Sequence, residues 1–147
     1  MKNVLIIGAG GIGRRHIKGY LSTNRVSLSI VEPDDEKINI IQKEFSIDET
    51  YTSIEQANLD HFDLAVICSP ANMHVEAMKI CAQNNLSFMV EKPLSTSMEG
   101  VDGGLSCTSH DCHYGVNGTC DLSSASDKVH VEEKGWKATG IPTYSEY

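Results

Sequence analysis

The sequence predicts an α/β protein with a parallel sheet and helices on both of its faces. Short apolar segments alternate along the chain with segments whose apolar residues recur at helical spacing. The first apolar segment runs directly into a cluster of four glycines, between residues 8 and 13. Hydrophobic residues make up 40% of the chain, which is enough for a globular core.

The predicted elements follow one another in a regular order up to about residue 94. Strands are expected at 3–7, 25–32, 62–70 and 86–94, with a weak strand and a short helix within 50–58; helices are expected at 11–23, 33–45 and 71–85. The predicted inward residues of the helices are Ile12, His16, Ile17, Tyr20 and Leu21, then Ile38, Ile41 and Phe45, then Met73, Ala77, Ile80 and Cys81. Strands that alternate with helices are joined by right-handed crossovers, and therefore form a parallel sheet.

Charge and hydropathy exclude several classes of protein. The formal net charge of −8 argues against a general nucleic-acid or membrane-surface binder. No apolar run approaches the roughly 20 residues that span a bilayer, and glycines follow Ile7 where a secretory signal would continue. A cytoplasmic protein is therefore expected. Cys68 and Cys81 lie in apolar segments and are expected to be buried free thiols.

Gly8, Gly10 and Gly13 form a G-x-G-x-x-G motif between the first predicted strand and the first predicted helix. In a dinucleotide-binding Rossmann fold the first glycine allows a tight turn, the second lets the backbone approach the pyrophosphate, and the third lets the helix pack against the sheet. Gly11 and Ile12 begin the helix, whose N-terminal N–H groups attract the anion. The motif alone is also compatible with a flexible loop that binds nothing.

Glu32 strengthens the prediction of a dinucleotide site. It ends the second predicted strand, 19 residues after Gly13, close to the ~20-residue offset of the acid that binds the ribose hydroxyls. A helix-start acid is the alternative interpretation. A carboxylate would repel a 2′-phosphate, and the next residues are Pro33, Asp34 and Asp35 rather than arginine or lysine. NAD is therefore favoured over NADP.

Three stretches closely resemble the glucose–fructose oxidoreductase/inositol dehydrogenase (Gfo/Idh/MocA) family. They are GAGGIGRRH, DLAVICSPANMHVEAMKICAQN and LSFMVEKPLS. Pro70 and His74 match the family's P-x-x-x-H motif, and Glu91, Lys92 and Pro93 match its E-K-P motif. The resemblance covers about residues 1–98, with the motifs in the family's order and spacing.

The resemblance implies an N-terminal Rossmann domain, a C-terminal α/β substrate domain, and NAD(P)-dependent oxidation or reduction of sugars and polyols. It makes Lys92 the catalytic candidate, near the nicotinamide and the substrate hydroxyl, where an ammonium stabilises a developing alkoxide. It also implies that the cofactor cleft is lined by Ser69, Pro70, His74, Glu91 and Pro93, with Pro93 often after a cis peptide. The alternatives are a packing histidine at 74, a solvated lysine at 92, and a His16 that packs on its own helix.

The resemblance ends near Met98. Gly100, Gly103 and Gly104 are unfavourable for the helix that the family has next, and only residues 113–118 fall near the position of a sixth strand. We therefore expect an NAD(P)-binding domain at 1–98 and an atypical, weakly ordered tail at 99–147. The tail is interpreted as the product of a truncation or frame shift, as a natural extension of a binding module, or as a small ligand site.

No metal site is predicted in the tail. Its cysteines and histidines do not have a familiar zinc spacing; they are Cys107, His110, Cys112, His113 and Cys120.

The predicted function is hydride transfer between NAD and a sugar- or polyol-like alcohol in full-length relatives. The alternative is a non-catalytic dinucleotide-binding module or an inactive remnant. Neither nucleic acid nor membrane is an expected partner, and a homo-oligomer stays open. Because the substrate carbon must be held against the nicotinamide, the 147-residue chain by itself is expected to bind NAD with negligible dehydrogenase activity.

Overall fold

The computed structural model describes residues 1–97 and the backbone of a strand at 114–117. The strands are β1 (Lys2–Ile7), β2 (Val26–Val31), β3 (Thr50–Tyr51), β4 (Leu64–Ile67), β5 (Phe88–Glu91) and β6 (Tyr114–Asn117). The helices are α1 (Gly11–Ser22), α2 (Asp35–Glu44) and α3 (His74–Gln83), with 3₁₀ turns at Ile54–Gln56, Leu59–His61 and Ala71–Met73.

The six strands form one parallel sheet in the order β3-β2-β1-β4-β5-β6. The chain builds outward from β1 through β2 to β3, then returns to the other side of β1 and builds outward through β4, β5 and β6. The order therefore reverses between β1 and β4. Such a switch point leaves a crevice at the carboxyl ends of the strands, where ligands bind in this class of fold.

The central strand β1 is buried on both faces, as is typical of parallel sheets. Val4 and Ile6 pack into a cluster with apolar residues of α1 and α2. Leu5 and Ile7 pack into a second cluster, on the opposite face, with residues of α3. This confirms the prediction of a parallel sheet covered by helices on both faces.

Two of the predicted inward residues are wrong. Ile12 is 43% exposed, because it lies in the first turn of α1, at the end where the sheet stops. Met73 is 49% exposed, because it belongs to a 3₁₀ turn and α3 begins only at His74. The later start changes which residues face the sheet, and Met78 fills the core. The predicted core positions Ile17, Ile38, Ile41, Ala77 and Cys81 are buried.

The sixth strand lies beyond the predicted domain boundary at residue 98. Residues 114–117 pair with β5 in the register Phe88↔Tyr114, within the segment 113–118 that resembled the family's next strand. The predictions for the rest of the tail, including its weak order and its cysteines and histidines, fall outside the described residues. None of the helices in the described part of the chain has the length and apolar character to cross a membrane.

Candidate functional site

Four predicted site residues follow the carboxyl ends of neighbouring strands. Gly8 comes directly after β1, Glu32 after β2 and Lys92 after β5, and Ser69 lies two residues beyond the end of β4. The sheet order brings all four to one edge, with Gly8 and Ser69 on the two strands that flank the switch point. These four residues therefore lie at the carboxyl edge of the sheet, on both sides of the switch point.

The glycines of the motif have different structural roles. Gly8 has a φ of +94°, and a β-carbon there would lie 2.6 Å from the backbone nitrogen of Ser69. A β-carbon on Gly13 would overlap the carbonyl oxygen of Gly8. Around Gly10 and Gly11, by contrast, no described atom beyond the adjoining residues and the backbone of the same helix lies within 4 Å of the position a β-carbon would take. The first and third glycines are thus required by packing, whereas the backbone at the second borders open space.

The N-terminus of α1 is suited to an anion, and that of α2 is not. Gly10 caps α1 without a side-chain hydrogen bond, and the first turn of α1 has no acidic residue. At α2, Asp34 accepts hydrogen bonds from the N–H groups of Glu36 and Lys37, and acids occupy the first turn. Because uncapped N–H groups at a helix start bind phosphates, the open space beside Gly10 fits a pyrophosphate.

The Glu32 carboxylate is buried and accepts a hydrogen bond from the glycine loop. Its Oε2 accepts a hydrogen bond from the Ala9 N–H at 2.9 Å, and its Oε1 accepts one from the Asp34 N–H at 3.3 Å. The Lys37 Nζ lies 3.5 Å from the same Oε1. A carboxylate has about four acceptor positions, so these donors leave room for a ribose hydroxyl.

Lys37 is a neighbour of Glu32 that sequence reasoning missed. Its Nζ also lies 3.5 Å from Oδ2 of Asp34, and the negative charge of Glu32 is the main cause that raises the pKa of the Lys37 ammonium. The sequence argument considered only the residues that directly follow Glu32. A lysine three positions after the helix-capping Asp34 was the available signal, because residues at that spacing are neighbours in a helix.

Ser69 and His74 join the end of β4 to the turn after β5. The His74 ring is buried; its Nε2 lies 2.7 Å from the Ser69 carbonyl oxygen and its Nδ1 lies 2.9 Å from that of Pro93. His74 thus ties the two walls of the crevice together. The Ser69 hydroxyl is buried and has no hydrogen-bond partner among the described residues. An orphaned hydroxyl at this point fits a site that is completed by a ligand.

The E-K-P turn places Lys92 and Pro93 at the surface and Glu91 in the interior. The Lys92–Pro93 peptide is cis, as the resemblance implies. Oε1 of Glu91 lies 2.6 Å from Nε2 of His16 on α1. The prediction that His16 packs on its own helix therefore missed its main contact, although His16 ends the GAGGIGRRH stretch that carries the resemblance.

The two described cysteines are free thiols, as predicted. Burial raises the pKa of Cys68 to about 12, with a further contribution from the negative charge of Glu91. Burial also raises the pKa of Cys81 to about 12. Since thiolates are the reactive form, both groups stay protonated and inert at neutral pH.

We expect neither Cys68 nor Cys81 to react with iodoacetamide in the folded protein at mildly alkaline pH, which is far below a pKa of about 12. Peptide mass spectrometry would show both unlabelled in the native protein and fully labelled in denaturant. Rapid native labelling of Cys68 would contradict its burial beneath α1.

The fold and the site define an NAD-binding Rossmann domain. A family model described as "Oxidoreductase family, NAD-binding Rossmann fold" matches residues 2–117. The chain belongs to this family, the Gfo/Idh/MocA oxidoreductases. The match includes β6 and extends past residue 98, where the resemblance seen in the sequence ended.

Curated relatives match over part of their length. A 4-carboxy-2-hydroxymuconate-6-semialdehyde dehydrogenase of Sphingobium sp. is 26% identical over 96 residues, which is 64% of this chain and 30% of the relative. A myo-inositol 2-dehydrogenase of Thermotoga maritima is 26% identical over 102 residues, 66% of this chain and 30% of the relative. The matched part of the chain therefore spans 30% of the length of each relative.

Solved structures share the fold. A probable dehydrogenase from Thermotoga maritima has a TM-score of 0.73 at 22% identity, covering 90% of this chain and 41% of that one. GenD2 from gentamicin A biosynthesis, in complex with NAD, has a TM-score of 0.69 at 20% identity, covering 78% of this chain and 34% of that one. At these identities the likeness establishes the fold alone.

Proposed function

We propose that this chain is the cofactor domain of an NAD-dependent oxidoreductase that acts on a sugar- or polyol-like alcohol. The observation that carries the proposal is the arrangement at the carboxyl edge of the sheet. The buried Glu32, the uncapped helix start beside Gly10 and the exposed Lys92 follow strands β2, β1 and β5, and this order across the sheet supports a dinucleotide that runs from adenosine ribose through pyrophosphate to nicotinamide. The myo-inositol 2-dehydrogenase relative supports the class of substrate.

The residues of the crevice would hold successive parts of NAD. The backbone at Gly10, Gly11 and Ile12 would bind the pyrophosphate, and Glu32 would accept hydrogen bonds from the adenosine ribose. Ser69 and its neighbours Pro70, His74, Glu91 and Pro93 would shape the nicotinamide end, with the Ser69 hydroxyl gaining the partner it lacks among the described residues. NAD, when bound, supplies the hydride acceptor.

Lys92 would act on the substrate oxygen. Its side chain is exposed directly after β5, at the edge where the crevice lies. An ammonium there would donate a hydrogen bond to the substrate oxygen and stabilise its negative charge, which develops as the hydroxyl proton is lost to water during oxidation or as the hydride arrives at the carbonyl carbon during reduction. The His74 contact with Pro93 keeps the turn that carries Lys92 against the end of β4.

The test has two readouts, calorimetric NAD binding and NADH formation across a panel of inositols and aldoses. For the 147-residue chain we expect NAD to bind and turnover to be negligible, because near-attack geometry requires a held substrate. Turnover that is lost in Lys92→Ala would instead show that this chain is catalytically complete. Absence of NAD binding would contradict the proposal as a whole.

The non-catalytic alternative makes a different prediction. If the crevice only binds the dinucleotide, Lys92→Ala leaves the affinity for NAD unchanged. In that case no alcohol slows the chemical labelling of the Lys92 amine. If the proposed role of Lys92 is correct, polyols at high concentration slow that modification once NAD is bound. The comparison needs only mass-spectrometric labelling of Lys92.

We expect NAD to bind more tightly than NADP, and Glu32→Gln to narrow the difference by about tenfold or more, equivalent to ~1.4 kcal/mol. Glutamine removes the charge that repels a 2′-phosphate, and its carbonyl still accepts the Ala9 hydrogen bond. Lys37 then becomes available to the phosphate. Titration calorimetry with both cofactors measures the effect.

The matched control for this prediction is Glu32→Gln combined with Lys37→Met. The double variant should lose most of the NADP affinity gained by the single one. Equal affinity of the unsubstituted chain for NAD and NADP would show that Glu32 does not distinguish a 2′-hydroxyl from a 2′-phosphate.

A cytoplasmic location is a further part of the proposal, whereas a homo-oligomer stays open. The free thiols of Cys68 and Cys81 are in keeping with a reducing compartment. Light scattering coupled to gel filtration would determine the oligomeric state.

A further inference from the structure

A contact between His16 and Glu91 joins the two halves of the domain. His16 lies in α1, directly after the glycine loop, and Glu91 is the last residue of β5. Their Nε2 and Oε1 atoms are 2.6 Å apart, and both side chains are largely buried. Since β4 lies between β1 and β5 in the sheet, the contact spans the switch point above the end of β4.

The second oxygen of Glu91 contacts the main chain of the proposed catalytic lysine. Oε2 accepts a long hydrogen bond of 3.4 Å from the backbone N–H of Lys92. One carboxylate therefore contacts α1 through one oxygen and the main chain of Lys92 through the other. The negative charge of Glu91 also contributes to the raised pKa of the Cys68 thiol, in agreement with a carboxylate that lies over the end of β4.

The glycine loop and α1 behave as one packed unit. Gly13 of α1 sits so close to the carbonyl of Gly8 that a β-carbon does not fit between them. His16 follows Gly13 by three residues, within the same helical turn. A displacement of the glycine loop would therefore also move His16, and with it the contact with Glu91.

We propose that His16 is a positioning residue for Lys92: through Glu91, it couples occupancy of the glycine loop by a dinucleotide to the position of the Lys92 amine. The inference rests on the proposed function, because the dinucleotide site and the role of Lys92 come from it. A histidine that only filled space would produce no such coupling.

Two substitutions of His16 separate the hydrogen bond from the ring. His16→Phe keeps a ring beside Tyr20, whose centroid lies 6.3 Å from that of the imidazole, and removes the donor. His16→Gln removes the ring and keeps an N–H donor at the distance of Nε2. Tyr20→Phe is the matched control, because it leaves the contact of His16 with Glu91 intact.

The readout is the acetylation rate of Lys92 with and without saturating NAD, measured by mass spectrometry relative to Lys43 on α2. In the unsubstituted chain we expect NAD to slow labelling of Lys92 by at least about fivefold. In His16→Phe the protection should fall below about twofold. His16→Gln and Tyr20→Phe should protect nearly as well as the unsubstituted chain.

If NAD protects Lys92 fully in His16→Phe, the inference is wrong. It is also wrong if NAD fails to protect Lys92 in His16→Gln, because the ring rather than the hydrogen-bond donor would then matter. Glu91→Leu removes the acceptor of the same contact and replaces His16→Phe if that variant does not fold. An unsubstituted chain that fails to bind NAD, or binds it without protecting Lys92, would instead refute the proposed function.

Discussion

Gly10→Val is expected to abolish NAD binding, with an affinity loss of more than about 100-fold, while the chain stays folded. The side chain would enter the open space beside the start of α1, where the pyrophosphate is proposed to lie. Gly10 has an extended backbone, with φ −68° and ψ −164°, which valine can adopt. Calorimetry measures the binding, and circular dichroism with thermal unfolding measures the fold.

The comparison for Gly10→Val is Gly19→Ala within α1, the helix that Gly10 caps. Gly19 is exposed, and no described atom lies within 4 Å of the position its β-carbon would take. Its distance from the crevice predicts unchanged NAD affinity. Retained NAD binding in Gly10→Val would show that the dinucleotide does not lie against this part of the loop.

Gly13→Ala is expected to destabilise the domain by about 3 kcal/mol or more, because the added methyl overlaps the backbone of Gly8 and overpacking of a rigid neighbour is costly. For a domain of this size each kcal/mol lowers the unfolding midpoint by roughly 4–8 °C. A fall of well over 10 °C is therefore expected in a thermal melt, about 12 °C at the least.

The same substitution six residues later should have the opposite effect. Gly19→Ala places alanine in a solvent-facing helical position and is expected to stabilise the chain by about 0.5–1 kcal/mol. If both variants melt within a degree or so of the unsubstituted chain, the close approach of α1 to the glycine loop described above is wrong.

The parallel sheet and the helices on its two faces could be predicted because the signals for them are local. Each strand is a short apolar run, each helix shows its own apolar spacing, and the alternation of the two dictates parallel crossovers. The errors arose where a helix begins. Met73 carries a helical spacing with the residues that follow it, but the turn after Pro70 delays α3 to His74, and no local pattern encodes that delay.

In the candidate site, too, the features with local signals could be predicted and the others could not. Gly8, Gly10, Gly13 and Glu32 could be found from their spacing, because the motif and the acid belong to one strand–helix–strand unit. The contact of His16 with Glu91 joins residues 75 positions apart. No local sequence pattern around either residue indicates the other as its partner, so only the folded chain shows the contact.

The hydrogen bond from Ala9 to Glu32 has a consequence for how cofactor preference can evolve. The loop is already ordered in the free chain, so binding does not bear the full entropic cost of ordering it. The same carboxylate is proposed to choose the cofactor. A lineage that replaced Glu32 with a small residue to admit a 2′-phosphate would also release its preorganised loop. A change of preference at this position therefore requires either an isosteric amide or a second, compensating anchor for Ala9.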